Sequence, residues 1–406
     1  MAQKRAHIGL VLTGGGARAA YQVGVLRAVA TMVPKGSPTP FDVLCGTSAG
    51  AINAAALAAN AGNFRLGVRR LVNVWKDMRA GHVYRADLAG IAACSARWIA
   101  SLVLTSVGAR KPVSLLDNAP LQAMLARQLD LPAIRRSIDG GALRAIAVTA
   151  SGYTSGESIS FFEAGADVQG WRRSRRVGVK TQLDVPHLMA SSALPFVFPP
   201  VRIHREFFGD GSMRQIAPIS PALHLGADRV LVISVAATGP TPGPRVFTER
   251  SPSLAQIAGH ALNSIFLDAL EADLERLERI NRTIALLNAA AGGVAHLVLK
   301  HVDCLVISPS EPLEQIALRH VRALPRTVRA FLHGIGAMRR SGSNLASYVL
   351  FERPFCRALM QLGFRDAMAR RDEIVAFLRA GSTPATPSRP HPVPAANDAH
   401  GLQALL

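Results

Sequence analysis

A chain of 406 residues is long enough for one large domain or two, and 49% hydrophobic residues allow a substantial core and exclude wholesale disorder. A formal net charge of +19 asks for an anionic partner or a solvated basic face; with only 5% aromatic residues and no recognition motif, nucleic acid ranks last and is not expected as a partner. Cysteines at 45, 94, 304 and 356 are too scattered for a disulfide frame or a ligand set, so reduced core thiols are expected, with no metal and no other cofactor.

Lys4 and Arg5 precede only a short apolar run, which reads as a first strand over 8–13 and not as a signal peptide. A cytoplasmic protein is expected, peripheral to a membrane at most; a specialised secretion route would leave no such mark and stays open. The strand runs into Gly14-Gly15-Gly16-Ala17-Arg18 and then a helix over 17–33. A glycine-rich loop at a helix start exposes backbone N–H groups and can hold an anion, either a phosphate or an oxyanion. Gly14-x-Gly16-x-x-Ala19 also fits the dinucleotide fingerprint. That reading wants an acid about 20 residues on that closes a second strand. Asp42 is nearly the sole candidate, and it begins a strand instead. No Gly-Lys-Ser/Thr follows the glycines, so a P-loop is excluded.

A second strand, 42–46, leads into Gly46-Thr47-Ser48-Ala49-Gly50 and a small-residue helix over 49–60. Strand, Gly-x-Ser-x-Gly and helix in that order are the layout of a nucleophile elbow. So sharp a turn needs tiny neighbours, which Gly46 and Gly50 supply. Ser48 then sits at the positive end of a helix, where an attacking oxygen and the charge it generates are both favoured.

Helices are expected over 64–79, 118–129, 184–193 and 218–225, with strands at 143–149, 158–162, 201–208, 229–235 and 302–308. Such alternation implies a three-layer α/β/α sandwich with a largely parallel central sheet, and sites on such sheets follow strand ends, as Ser48 and the glycine loop do. The apolar stretch 88–107 carries Arg97 near its middle, which is costly in a bilayer. A helix pair packed on the core is the reading, with a lipid-contacting lid as its rival. Trp171-Arg172-Arg173-Ser174-Arg175-Arg176, with Lys180, is the densest basic cluster. It reads either as a solvated loop or as a face for anionic lipid headgroups, each near-surface cation contributing about 1 kcal/mol.

A nucleophilic serine needs a base. His187 at a helix start and His204 in an expected strand read as packing or surface residues. Asp210, in Glu206-Phe207-Phe208-Gly209-Asp210-Gly211-Ser212, is the better candidate, although alone it would pass for an ordinary Asp-Gly turn. A Pro/Gly-rich break over 237–252 separates a second region, with a long helical pattern over 254–287 and helices near 324–338, 343–351, 354–362 and 366–379. The organisation expected is a catalytic domain over 8–225, an extension over 226–380 that completes the sheet and adds helices, and a disordered tail over 381–406.

Taken together, these residues resemble the patatin-like phospholipases, serine lipid acyl hydrolases that use a Ser-Asp dyad. The resemblance rests on Gly14-Gly15-Gly16-Ala17-Arg18 with Gly24-Val25-Leu26, on Gly46-Thr47-Ser48-Ala49-Gly50, on the stretch from Ala190 to Pro200, and on Asp210-Gly211-Ser212. It covers roughly the first 225 residues. It implies Ser48 as nucleophile, Asp210 as direct base with Gly211 flanking it, and an oxyanion hole of Gly14, Gly15 and Gly16 with Arg18. Ala19 and Ser212 depart from the family pattern by small replacements. The function implied is cleavage of membrane-lipid carboxylic esters through an acyl-enzyme, at or near an anionic membrane surface. Hydrolase and acyltransferase share such a site, and oligomeric state is left open. The rivals are a dinucleotide-binding oxidoreductase using the Gly14–Gly16 loop and a basic membrane-binding scaffold without catalysis.

Overall fold

The computed structural model describes residues 6–87, 90, 114–237, 254–265, 269–290, 300–334 and 343–379. Stretch 88–107, most of the Pro/Gly-rich break and the tail 381–406 lie outside these, apart from the single residue 90 and Ala237.

The strands are β1 (Ile8–Leu12), β2 (Val43–Thr47), β3 (Ala145–Gly152), β4 (Ser158–Ala164), β5 (Trp171–Arg173), β6 (Arg176–Lys180), β7 (Val201–Ile203), β8 (Glu206–Asp210), β9 (Arg229–Ile233) and β10 (Asp303–Ile307). They form one sheet in the order β10-β9-β1-β2-β3-β4-β6-β5, with β8 on β3 and β7 on β8. The run from β10 to β3 is parallel throughout. Buried on both faces, as parallel strands are, β1 and β2 read as nearly unbroken apolar runs. The antiparallel pairings are β4 on β3, β8 on β3, β7 on β8 and β5 on β6.

Helices cover both faces. In the N-terminal part they are α1 (Ala20–Met32), α2 (Ala49–Ala58), α3 (Phe64–Lys76), α4 (Ala80–Val83), α5 (Ala119–Gln128), α6 (Pro132–Asp139), α7 (Val185–Ser191) and α8 (Ser220–His224). Beyond β9 come α9 (Leu254–Asn263), α10 (Ala269–Ala290), α11 (Leu313–His320), α12 (Arg326–Gly334), α13 (Ser343–Val349), α14 (Arg353–Ala369) and α15 (Arg371–Arg379). The larger core joins one sheet face to α1, α2, α3 and α14, and the smaller joins the other face to α8 and α10. The architecture is therefore a mostly parallel central sheet between helical layers, with a helical C-terminal region.

Several local readings change. The stretch 201–208 is not one strand but the β7–β8 hairpin, turning at His204, which takes a left-handed φ of 51°. The basic cluster is not a loop but the β5–β6 hairpin on the sheet edge, because Trp171 stacks on Phe162 and His224 and gives β5 an anchor. Helix α6, Pro132–Asp139, was not expected; Ile134 and Ile138 fasten it to the core. Residues 363–365 do not interrupt a helix. Gly363 lies inside α14, where α1 and α14 nearly touch: a Cβ on Gly24 would lie 2.2 Å from the Met360 carbonyl, and one on Gly363 would lie 2.2 Å from that of Tyr21.

Candidate active site

β3 brings the site together. Along one edge it pairs with β2 as far as Thr47 opposite Thr149. From the next residue on, the same edge is taken by β8, with Asp210 opposite Ala150. Strands β2 and β8 thus run toward each other and end at consecutive positions of β3, about 3.4 Å apart along the strand. Residues 48 and 210 meet there, 162 positions apart in sequence.

Ser48 follows β2 in a strained conformation, φ 56° and ψ −130°, outside what a non-glycine residue normally adopts. The turn is held from all sides. A Cβ on Gly46 would lie 2.5 Å from the Ala51 Cα, and one on Gly50 2.4 Å from the Leu12 carbonyl oxygen, so each position excludes a side chain. The Ser48 N–H donates to Ser191 Oγ (2.9 Å), which donates in turn to the Thr149 carbonyl (2.6 Å). Ser191 is fully buried and had no assigned role in the sequence reading; its place within the family-like Ala190–Pro200 stretch was the one signal for it.

Asp210 is fully buried and Ser48 is 4% exposed. Asp210 Oδ1 accepts the Ser212 N–H (2.9 Å), while Oδ2 is buried without a full hydrogen bond. Burial pushes the carboxyl up to about 6, opposed by the nearby Ser48 hydroxyl and by the Ser212 amide and hydroxyl, which favour the charged form. The Ser48 hydroxyl lies near enough to Asp210 to favour the charged form of its carboxyl. Gly211 permits the approach, since a Cβ there would lie 2.1 Å from the Thr149 carbonyl oxygen.

The glycine loop follows β1 beside this pair. Among the described residues, the amides of Gly14, Gly15 and Gly16 have no protein acceptor. Arg18 is differently occupied. Its N–H donates to the Gly15 carbonyl (3.1 Å), its Nε donates to Ser347 Oγ (2.8 Å), and its guanidinium lies over the Tyr348 ring at 4.2 Å. Glu314 on α11 stands 4.0 Å from Nη2. The loop itself backs onto the later chain: a Cβ on Gly16 would lie 2.2 Å from the Tyr348 carbonyl oxygen.

From Gly16 and Ser48 an apolar pocket runs along α2, past Ile52, Ala56 and Ala59, walled by Trp75 and Leu71 of α3 and by Leu121 and Leu125 of α5. Tyr348 and Phe351 close another side, which no local sequence pattern signals. The far end carries Asn60, Arg70 and Asp130. No histidine lines the pocket among the described residues. His187 instead belongs to a capping box with Asp184 and packs edge-on against Phe161, and burial holds its pKa down. His204 sits at the exposed β7–β8 turn. Among the described residues no group of acids, histidines and cysteines is arranged to hold a metal.

The patatin-like phospholipase family model matches residues 10–223, more than half the chain. The chain belongs to the patatin-like phospholipase family. No curated protein sequence matches the chain. Similar solved structures include VipD from Legionella pneumophila, at 16% identity and TM-score 0.32, covering 87% of this chain and 67% of that one. Human GIVD cytosolic phospholipase A2 is matched at 10% identity and TM-score 0.44, covering 93% of this chain and 60% of that one. Its complex with methyl gamma-linolenyl fluorophosphonate and terbium chloride is matched at 12% identity, TM-score 0.41, with the same coverage. The chain thus spans about three fifths of the human enzyme's length. Among the described residues, no helix is long and apolar enough to cross a membrane.

Proposed function

We propose that this patatin-like chain is a serine acyl hydrolase of phospholipase A or lysophospholipase type, with Ser48 as nucleophile and Asp210 as its direct base. The observation that carries the reading is the head-to-head meeting of β2 and β8 on β3, which sets the Ser48 hydroxyl against a buried carboxylate. Ser48 Oγ attacks the ester carbonyl carbon while its proton passes to Asp210. The carbonyl oxygen, now negative, is received by the amides of Gly14, Gly15 and Gly16, aided by the start of α2. Arg18 supports this loop from behind through Ser347 and Tyr348. Collapse of the intermediate breaks the ester bond, and Asp210 returns the proton to the leaving lysolipid or glycerol oxygen. Water then attacks the acyl-Ser48 carbon and gives its proton to Asp210, which passes it to Ser48 Oγ as the acyl bond breaks, so the fatty acid leaves with the Ser48 hydroxyl and the Asp210 carboxylate both restored. The acyl chain lies in the pocket along α2, and the lipid is met at an anionic membrane surface to which the protein binds peripherally.

A fluorophosphonate probe with a lipid-ester assay tests this. Ser48→Ala is expected to abolish both labelling and hydrolysis. Asp210→Asn is expected to lower turnover about 10²–10⁴-fold, the range for a lost general base. His204→Ala is expected to leave turnover largely intact. Label on a different serine, or hydrolysis surviving in Ser48→Ala, would overturn the assignment.

A further inference from the structure

We infer that the edge of the molecule at the C-terminal ends of β2 and β3, where Ser48 lies, is also the surface that docks on an anionic bilayer, with an apolar row beside the dyad entering the lipid and a ring of arginines meeting the headgroups. The inference rests on the acyl-hydrolase reading for its biological sense, but its observations are separate.

The first observation is where exposed apolar surface lies. Of the large hydrophobic side chains exposed among the described residues, Tyr153, Phe196, Phe207 and Ile216 are four of eight, and all four border this edge. Tyr153 follows the last residue of β3, and its N–H donates to the Phe207 carbonyl (3.0 Å). Antiparallel register therefore sets the two rings on one face, and Arg202 of β7, opposite Phe207, extends the row. The Tyr153 ring covers Gly209, and Asp210 acts on its phenol electrostatically, so the row adjoins the dyad. Ile216 follows Gln215, whose side chain accepts the Thr47 hydroxyl (2.6 Å) next to Ser48. On the pocket side, Phe196 stands 76% exposed between the lining residues Leu194 and Phe198. It does so with a left-handed φ of 65° that a bulky residue rarely takes.

The second observation is charge. β6 runs parallel to β4, and β4 begins beside the end of β3, so the β5–β6 turn falls on this same edge. That turn carries exposed Arg172, Arg173 and Arg175. Arg202, Arg205 and Arg214 are exposed close by. Two carboxylates of this edge are already engaged: Glu157 pairs with Arg172 (2.8 Å), and Glu206 accepts the amides of Thr154 and Ser155. Cations around a projecting apolar row complement an anionic interface. Docked this way, the protein would meet lipid at the edge where Ser48 and the glycine loop lie.

The test uses the full chain with Ser48→Ala, which leaves vesicles intact. Flotation with phosphatidylglycerol vesicles is expected to show binding that weakens with salt and is poorer on phosphatidylcholine. Arg202→Glu/Arg205→Glu/Arg214→Glu is expected to weaken binding at least about tenfold. Phe207→Ser/Ile216→Ser is expected to weaken it on both lipids. In the Ser48 background, the same surface variants should hydrolyse a short soluble ester within about twofold of the parent, which certifies their folding. A Phe207→Trp variant supplies a second reading, since the emission it adds to that of the parent should shift to the blue when phosphatidylglycerol vesicles are added. Undiminished binding by both surface variants, an unmoved emission from the Phe207→Trp variant, or preference for duplex DNA over vesicles would overturn the proposal. Absence of soluble-ester hydrolysis in the unmodified chain, with vesicle binding intact, would instead strike the catalytic reading and leave this one standing.

Discussion

Asp210 is where pH enters both stability and activity. Its folded carboxyl sits at about 6, above the roughly 3.9 of an unfolded aspartate. The fold therefore favours the protonated acid. That contribution is full below pH about 4 and is lost as pH rises through about 6, leaving an ionised buried carboxylate that costs on the order of 3 kcal/mol relative to the acid form. The proposed mechanism wants the opposite state, because in it only the carboxylate takes the Ser48 proton. The acid limb of kcat/KM is expected to rise with a midpoint near pH 6. Asp210→Asn, neutral at every pH, should raise the melting temperature at pH 8 by several degrees while abolishing most activity, and the gain should vanish near pH 4. Thermal scans at the two pH values check this, and an equal shift at both would mean that the buried charge is not its source.

At the level of elements, α2 does two jobs: it opens at the sharp turn of Ser48, and its half-buried residues Ile52 and Ala56, with Ala59 just past its end, form a stripe at helical spacing along the pocket. Ala56 lies about 12 Å along the helix from Ser48. Ala56→Phe is expected to block the channel there and shift preference toward short acyl esters, each excluded methylene forfeiting about 0.8 kcal/mol, roughly fourfold in kcat/KM. A chain-length series checks it, and a uniform loss at all lengths would show that the acyl chain takes another path. Helix α13 acts on the loop opposite. Ser347→Ala removes the Nε partner of a buried guanidinium and should cost about 1–3 kcal/mol of stability. It should also lower kcat more than it raises KM, because the glycine amides lose their support. Ser347→Thr, which keeps a hydroxyl, is expected to rescue much of both. The two halves of the site differ in how far the sequence discloses them. Ser48 and the glycine loop lie in strand-turn patterns that short-range sterics impose, so spacing marks them; Asp210 sits in what alone passes for an Asp-Gly turn, and only the family resemblance singles it out. Tyr348, Phe351 and Ser347 reach the site only through packing of distant helices, and a tyrosine in an apolar helix looks the same whether it lines a pocket or fills a core. The β5–β6 hairpin is hidden for a related reason: four arginines obscure the alternation, and Trp171 is held by Phe162 and His224 from other elements.

The family match ends at residue 223, yet the molecule does not divide there. β9 pairs with β1 along its full length, and β10 pairs with β9. Through its close crossing at Gly24 and Gly363, α14 covers α1, whose Tyr21, Val25 and Leu26 are fully buried. We propose that the catalytic region 8–225 and the extension 226–380 fold as one cooperative unit, with 381–406 outside it. A chain ending at residue 226 would leave β1 with an unpaired edge and α1 with a bare apolar face, both invitations to aggregate. It would also lose Tyr348 and Phe351 from the pocket and every side-chain partner of Arg18 named above. Such a truncation is expected to be insoluble or to bind hydrophobic dyes as an expanded state, whereas a chain ending at residue 380 should melt within about a degree of the full length and keep its ester hydrolysis. Recovery of a folded, active 1–226 fragment would show that the extension decorates the catalytic fold instead of completing it.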